Sequence, residues 1–288
     1  MITPITQGPT LALISGRTAD NPRLLKEVIA AGCTHVYLEK PGAPSVPELE
    51  EMARFAKSKG IPVYMGYNKN VTKYVTEALA AEQAAGPGAS TAFYHNNAYQ
   101  KAELPECFER NAEGMLKNMA VHELALLVSF YGVRGDNIAT IEPDKKYSSC
   151  QTLRGGDTGK PFTDFDAIGF TVTTTEGKTV SVYADRCGDA GGGGYSEAVV
   201  SVGGAEKFRS MTPDDELKSV VAGKQATNPD WMPYFHLQHD DYVTLKERVC
   251  AACLDGSTPQ GIATIEIAIE TLKVAEYLTP TLQKELTK

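Results

Sequence analysis

Two groups of residues in this sequence have the types and spacing to do chemistry. The stretch "HVYLEKPG" ends an apolar run, His35 to Leu38, on Glu39, Lys40 and Pro41, so a strand carries a charged pair to its end and a proline fixes the turn. The stretch "EGMLKNMAVHELALLVSFYG" reads as one largely buried helix in which Asn118 and His122, spaced i, i+4, share a face continued by Ala125 and Ser129. An imidazole titrates near neutral pH and an ammonium is a strong donor, so a lysine and a histidine facing one cleft can hold and move a proton. Each has a plainer alternative. Lys40 can be an exposed strand-end lysine paired with Glu39, and His122 a satisfied core histidine.

The elements that must position these groups follow from the pattern around them. "TLALISGR" is a strand-length apolar run, "NPRLLKEVIAAG" has helical spacing with Pro22 in its first turn and Gly32 at its stop, and "THVYLEK" is strand-like again. "SVPELEEMARFAKSKG" opens on a Ser45 cap, places Leu49, Met52, Phe55 and Ala56 on one face, and stops at Gly60 before the strand "IPVYMGY". Such alternation predicts a parallel sheet with crossover helices, whose ligands bind at the carboxyl ends of the strands. Lys40, Ser15-Gly16 and Tyr67-Asn68 all lie at such ends. After a helix near Val71 to Ala85, "AAGPGAS" marks a domain boundary. Beyond it come the long helix with His122, then strands "FDAIGFTVTTTEG", "KTVSVYADRC", "YSEAVVSVGG" and "EKFRSM", consecutive and joined by short turns, as in an antiparallel sheet. Two helices, Tyr234 to Leu254 and Gln260 to Leu278, close the chain. The expected architecture is α/β plus α+β: a partial Rossmann-type parallel sheet in residues 1–88 and a larger, mainly antiparallel sheet in residues 89–288.

Composition narrows the function classes. The 288 residues carry a formal net charge of -8 with no block of lysine or arginine, which argues against nucleic acid and for a dissolved small molecule. No stretch reaches the roughly 18 unbroken apolar residues of a membrane helix, and the start lacks a signal-peptide pattern, so a cytoplasmic protein is expected. Six cysteines without framework spacing fit reduced thiols, and the pair Cys250 and Cys253 reads as buried helix thiols rather than a metal site. "HLQHDD" at His236 to Asp241 reads as a solvated helix start. The aromatic group Trp231, Tyr234 and Phe235 reads equally as pocket lining or as packing.

"LEKPG", "MGYNKNVTKYV", "EGMLKNMAVHELALL" and "YADRC…GGYSEAVVSVGG", in that order along nearly the whole chain, together resemble the Gfo/Idh/MocA oxidoreductases, which include inositol and sugar dehydrogenases. The resemblance implies an NAD- or NADP-dependent oxidoreductase acting on a cyclic polyol, sugar or related hydroxy compound. It implies that Lys40 sits beside the nicotinamide and hydrogen-bonds the substrate oxygen, that His122 is the general acid/base, and that Pro41 follows a cis peptide. Asn118 and Tyr195 are then substrate contacts, and Ser15, Gly16, Glu39, Pro41 and Asn68 line the cofactor. A homo-oligomer formed through the antiparallel sheet is expected, because the Thr-rich outer faces of its strands suit pairing with another subunit.

The sequence departs from the family's pattern at two places. The aspartate four residues before the histidine is Asn118 and the glycine two before it is Ala120, so no carboxylate at residue 118 raises the histidine's pKa. The sequence also holds no G-x-G-x-x-G: "GGDTGKP" lacks P-loop spacing and "GDAGGGGY" lies between two strands. Two alternatives therefore stand beside the enzyme, a catalytically silent sensor on the same fold and a shortened chain of a full dehydrogenase. Charge-assisted bonds to a diphosphate are worth about 1.5–3 kcal/mol each, so this chain is expected to bind dinucleotide poorly. Calorimetry showing micromolar binding of NAD or NADP would contradict that.

Overall fold

The computed structural model describes residues 8–190, 192–230 and 233–286. Trp231 lies outside them, as do the side chains of Tyr234 and Phe235.

The first sheet has the expected alternation. Strands β1 (Leu11–Ile14), β2 (His35–Leu38) and β3 (Val63–Met65) lie parallel in that order, joined by helices α1 (Asn21–Ala30) and α2 (Val46–Ser58). The amide of Glu48 donates to the Ser45 hydroxyl at the start of α2, and Leu49, Met52 and Ala56 bury its apolar face. A buried turn of 3-10 helix, Asn68–Val71, follows β3 and leads into α3 (Lys73–Ala85).

Past the glycine turn at Gly86 and Gly88 the chain enters the second sheet through β4 (Ala89–Asn96). Next come α4 (Leu104–Arg110), α5 (Met115–Asn118) and α6 (Val121–Tyr131), then β5 (Ile138–Pro143), β6 (Ser149–Arg154), β7 (Pro161–Thr174), β8 (Thr179–Asp185), β9 (Tyr195–Val202) and β10 (Ala205–Thr212). The strand order is β10-β9-β4-β8-β7-β5, with β6 also pairing on β7. Most pairs are antiparallel, but β4 lies parallel to β8 and antiparallel to β9. The expected run of consecutive antiparallel neighbours is therefore interrupted, because β4 arrives from the first domain and fills the space between β8 and β9. The two glycine stretches are loops: the amide of Gly155 donates to the Lys160 carbonyl in the β6–β7 hairpin, and the other run joins β8 to β9.

Helices α7 (Asp215–Thr227), α8 (Pro233–Asp255) and α9 (Ile265–Leu286) complete the fold. Alternation sets the sheet's two faces. Phe93, Ile168, Phe170, Val180, Val182, Ala198 and Val200 pack against α3, α6 and the second half of α9. The first half of α9 (Ile265, Ala268, Ile269, Leu272) turns back onto the first sheet with Val121 and Ala125 of α6. Leu245, Val249 and Ala252 of α8 cover Tyr37 and Tyr64. Helices α6 and α9 thus contribute residues to the cores of both sheets. Among the described residues no helix is long and apolar enough to cross a membrane.

Candidate active site at the ends of the parallel strands

The backbone fixes Lys40 first. The amide of Gly66 donates to the Leu38 carbonyl and that of Glu39 to the Ile14 carbonyl, extending the ladder to the strand ends, and the Lys40–Pro41 peptide is cis, as the resemblance implies. Gly42 then takes φ 100°, and a Cβ there would meet Leu49 Cδ1 at 2.9 Å, so the turn after Lys40 is pressed onto α2 and accepts only glycine. Glu39 turns the other way. Its carboxylate accepts from the Tyr37 hydroxyl at 2.6 Å and lies so close to Gly66 that a Cβ there would meet Oε2 at 2.5 Å. Lys40 therefore makes no hydrogen bond to its sequence neighbour, and its ammonium donates instead to the Asn118 carbonyl at 3.2 Å.

The structure corrects the helix that carries Asn118 and His122. It is not continuous: α5 ends at Asn118, Met119 and Ala120 make the break, and α6 starts at Val121. The amide of Ala120 reaches back to the Met115 carbonyl and that of Leu124 to Ala120, which leaves the Asn118 carbonyl as a helix-end acceptor for Lys40. The Asn118 side chain turns outward and donates to Glu113 at 2.9 Å. Asn118 thus contributes its carbonyl, and the shared i, i+4 face does not exist.

His122 is buried, edge-on to Tyr67 with ring centroids 6.0 Å apart, and its Nδ1 has no hydrogen-bond partner. Burial pushes its pKa well below the usual histidine value, and the nearby Lys40 and Lys69 ammonium groups push it further down. Burial likewise lowers Lys40, against the opposing pull of Glu39, Glu113 and Glu123.

A histidine buried in its neutral form makes stability depend on pH. A folded pKa below the unfolded value of about 6.5 means that stability is fully present above that value and is lost as pH falls below it. His95 and His35, also lowered by burial, add in the same direction. Thermal unfolding is expected to drop from pH 7 to pH 5, and His122→Gln should flatten part of that limb; a parallel limb in the variant would contradict the assignment.

Behind Lys40 lies a set of charges that motif reading missed. Lys69, in the buried turn after β3, donates to one oxygen of Glu123 and, at 2.9 Å, to the Ser196 hydroxyl of β9. The other Glu123 oxygen meets His95 Nδ1 at 3.0 Å. Glu123 is wholly buried. Burial pushes its carboxyl up, but His95 and Lys69 outweigh this and hold it well below the usual carboxylate range. Asp241 of α8 faces Lys69, and burial first, then Asp240, pushes its pKa up to about 7. The reading of "HLQHDD" as a solvated face needs correction: His239 and Asp240 are exposed, but His236 is buried and Asp241 is turned inward. A charge inside an otherwise apolar stretch was the available signal, in Lys69 of "MGYNKNV" and in Glu123 of "AVHELALLV".

The remaining expected residues are not all brought together. Asn68 is buried, and its Oδ1 has no partner. Ser15 and Gly16 lie exposed at the end of β1. Tyr195 is not brought to Lys40: Ser196 faces Lys69, so Tyr195 projects from the opposite face of the sheet, where its electrostatic neighbours are Tyr147, Glu197, Asp189 and Asp185. Of the helix cysteines only Cys253 is buried, while Cys250 is exposed. No cluster of three metal-ligating side chains occurs among the described residues.

The residues present fit the nicotinamide end of a dinucleotide. Asn68 Oδ1 is a buried acceptor available to an amide N–H, and Lys40 and His122 are adjacent polar groups with capacity to spare. No family model and no curated protein matches the chain. Among solved structures it is similar to a myo-inositol dehydrogenase from Corynebacterium glutamicum, at 14% identity and TM-score 0.64, covering 92% of this chain and 75% of that one. It is similar to apo scyllo-inositol dehydrogenase from Lactobacillus casei, at 12% identity and TM-score 0.66, covering 95% and 77%. A third is the WlbA dehydrogenase from Bordetella pertussis in complex with NADH and UDP-GlcNAcA, at 12% identity and TM-score 0.63, covering 96% and 78%. The fold is that of the Gfo/Idh/MocA-type dehydrogenases.

Proposed function

We propose that this protein is an NAD- or NADP-dependent oxidoreductase that interconverts a hydroxyl and a carbonyl on a cyclic polyol, sugar or related hydroxy compound. The observation that carries the reading is the placement of Lys40 at the end of β2, bonded to a helix-end carbonyl rather than to a carboxylate, beside a neutral His122 whose Nδ1 has no hydrogen-bond partner. A nicotinamide, when bound, supplies the hydride acceptor or donor. Lys40 keeps ammonium protons beyond the one on Asn118, and these donate to the substrate oxygen as negative charge develops on it. The His122 imidazole, uncharged at neutral pH, takes the hydroxyl proton at Nδ1. Asn68 supplies an amide acceptor, and the buried walls exclude water, which strengthens both contacts.

The reading includes self-association through the sheet face away from the helices. There Tyr94 stacks on Tyr183 at 4.7 Å and Tyr147 meets Tyr183 edge-on, beside small residues such as Thr171 and Ser181, a surface suited to a second copy. The functional test is ligand perturbation of histidine ring resonances by inositols and nucleotide sugars in the presence of NAD or NADP. A shift at His122 that is lost in Lys40→Ala supports the reading, and silence with every compound contradicts it.

A further inference from the structure

We infer that His95, held by Glu123, is a second acid/base group of this cleft, the one that exchanges the substrate's hydroxyl proton with solvent. The inference rests on the oxidoreductase reading and deepens it. His95 is on β4, paired with Ala184 of β8 and Ser196 of β9, and shares with Thr91 and Phe93 the face that looks at the helices. Its Nδ1 lies 3.0 Å from Glu123 Oε2. An ionised carboxylate only accepts, so Nδ1 carries the hydrogen and Nε2 is left with its lone pair. Glu123 cannot swing away, since its other oxygen is taken by Lys69, which is itself tied to Ser196. The His95 side chain retains 18% exposure whereas Glu123 has none, so one ring edge is anchored and the ring still reaches accessible space.

A buried carboxylate fixing one imidazole nitrogen so that the other can take a proton is the geometry of general-base pairs. His122 lacks both features, having no carboxylate partner and no open edge. The groups facing His95 are Glu123 and His122 on α6, Lys69 in the turn after β3, and Lys40 at the end of β2; Ser196 and Ala184 are uncharged. In the oxidation direction the substrate O–H bond breaks, and its proton, taken at His122 Nδ1, passes on to His95 Nε2. The carbonyl forms as the C–H electron pair leaves as hydride to the nicotinamide dinucleotide. The imidazolium is balanced by Glu123 and returns its proton to water. Glu123 is a positioning residue.

The test begins on the unmodified protein without substrate. Nitrogen-15 ring shifts should show the Nδ1–H tautomer at His95, and diethyl pyrocarbonate should acylate His95 faster than His122; an Nε2–H tautomer or an inert His95 overturns the inference. With polyol and dinucleotide, His95→Gln should lower kcat by about 10²-fold or more. It should also remove the acidic limb of the pH profile, with added imidazole restoring part of the rate. If His95→Gln keeps both rate and limb while Lys40→Ala loses turnover, the inference fails and the oxidoreductase reading stands. If the unmodified protein turns over no hydroxy compound, both fall.

Discussion

Glu123→Gln is expected to lower the unfolding free energy by about 3–5 kcal/mol, the cost of leaving a buried charge without its partner. The partner is Lys69, only 5% exposed, whose ammonium makes its ion pair with Glu123 while Asp241 faces it from beyond ion-pair distance. The amide also replaces an acceptor for His95 Nδ1 by a weaker one. Lys69→Met in the same background should recover much of the loss, since replacing a whole buried pair by neutral groups is often close to neutral. The pH dependence follows from sign. The Glu123 carboxyl is held below its unfolded value of about 4.5, so its contribution is complete above that pH and is lost as pH falls through the folded value. Urea titrations at pH 7 and pH 4 measure both effects. Equal stability of Glu123→Gln and the parent at pH 7 would mean that the charges are solvated and the cluster is not buried as described.

The second large effect is on rate. Lys40→Ala should reduce kcat by about 10²–10³-fold, the usual loss when one preorganised donor to a developing oxyanion is removed. Stability should change little. Lys40 makes one hydrogen bond, to the Asn118 carbonyl, worth about 1 kcal/mol, and removing the side chain also relieves the burial of its charge. Because the ammonium acts in the transition state, KM should move far less than kcat. Lys40→Arg should not restore the rate, since a planar fork cannot place one proton where a compact ammonium did. A variant with a raised KM and unchanged kcat would make Lys40 a binding residue only.

How far the sequence carries these expectations depends on whether a signal is local. The Ser45 cap and the Gly60 stop act within a few residues, and the first sheet was legible for that reason. The same holds for the hairpins at Gly177 and Gly203-Gly204. The break at Met119 and Ala120 carries neither proline nor glycine. It is set by tertiary contacts, among them the Met115 amide on Asp164 and Lys40 on the Asn118 carbonyl, so periodicity ran straight through it. The insertion of β4 between β8 and β9 is a long-range pairing that turn chemistry does not encode. In the proposed site, Lys40 and His122 are residues that the resemblance singles out, while Lys69, His95, Glu123 and Asp241 are not, although Lys69 and Glu123 are buried charges in apolar stretches. Their meeting joins residues 54 and 28 positions apart, and no spacing rule spans such distances.

The most direct measurement is hydride transfer itself. Inositols, hexoses and nucleotide sugars are each offered with NAD or NADP, dinucleotide is raised until the rate no longer changes, and reduced-nicotinamide absorbance is followed for the parent and Lys40→Ala. Substrate-dependent reduction with at least one hydroxy compound, lost by about 10²-fold or more in the variant, is the predicted result. No reduction with any of them, or equal rates in both proteins, would contradict the assignment of Lys40 to an oxidoreductase site.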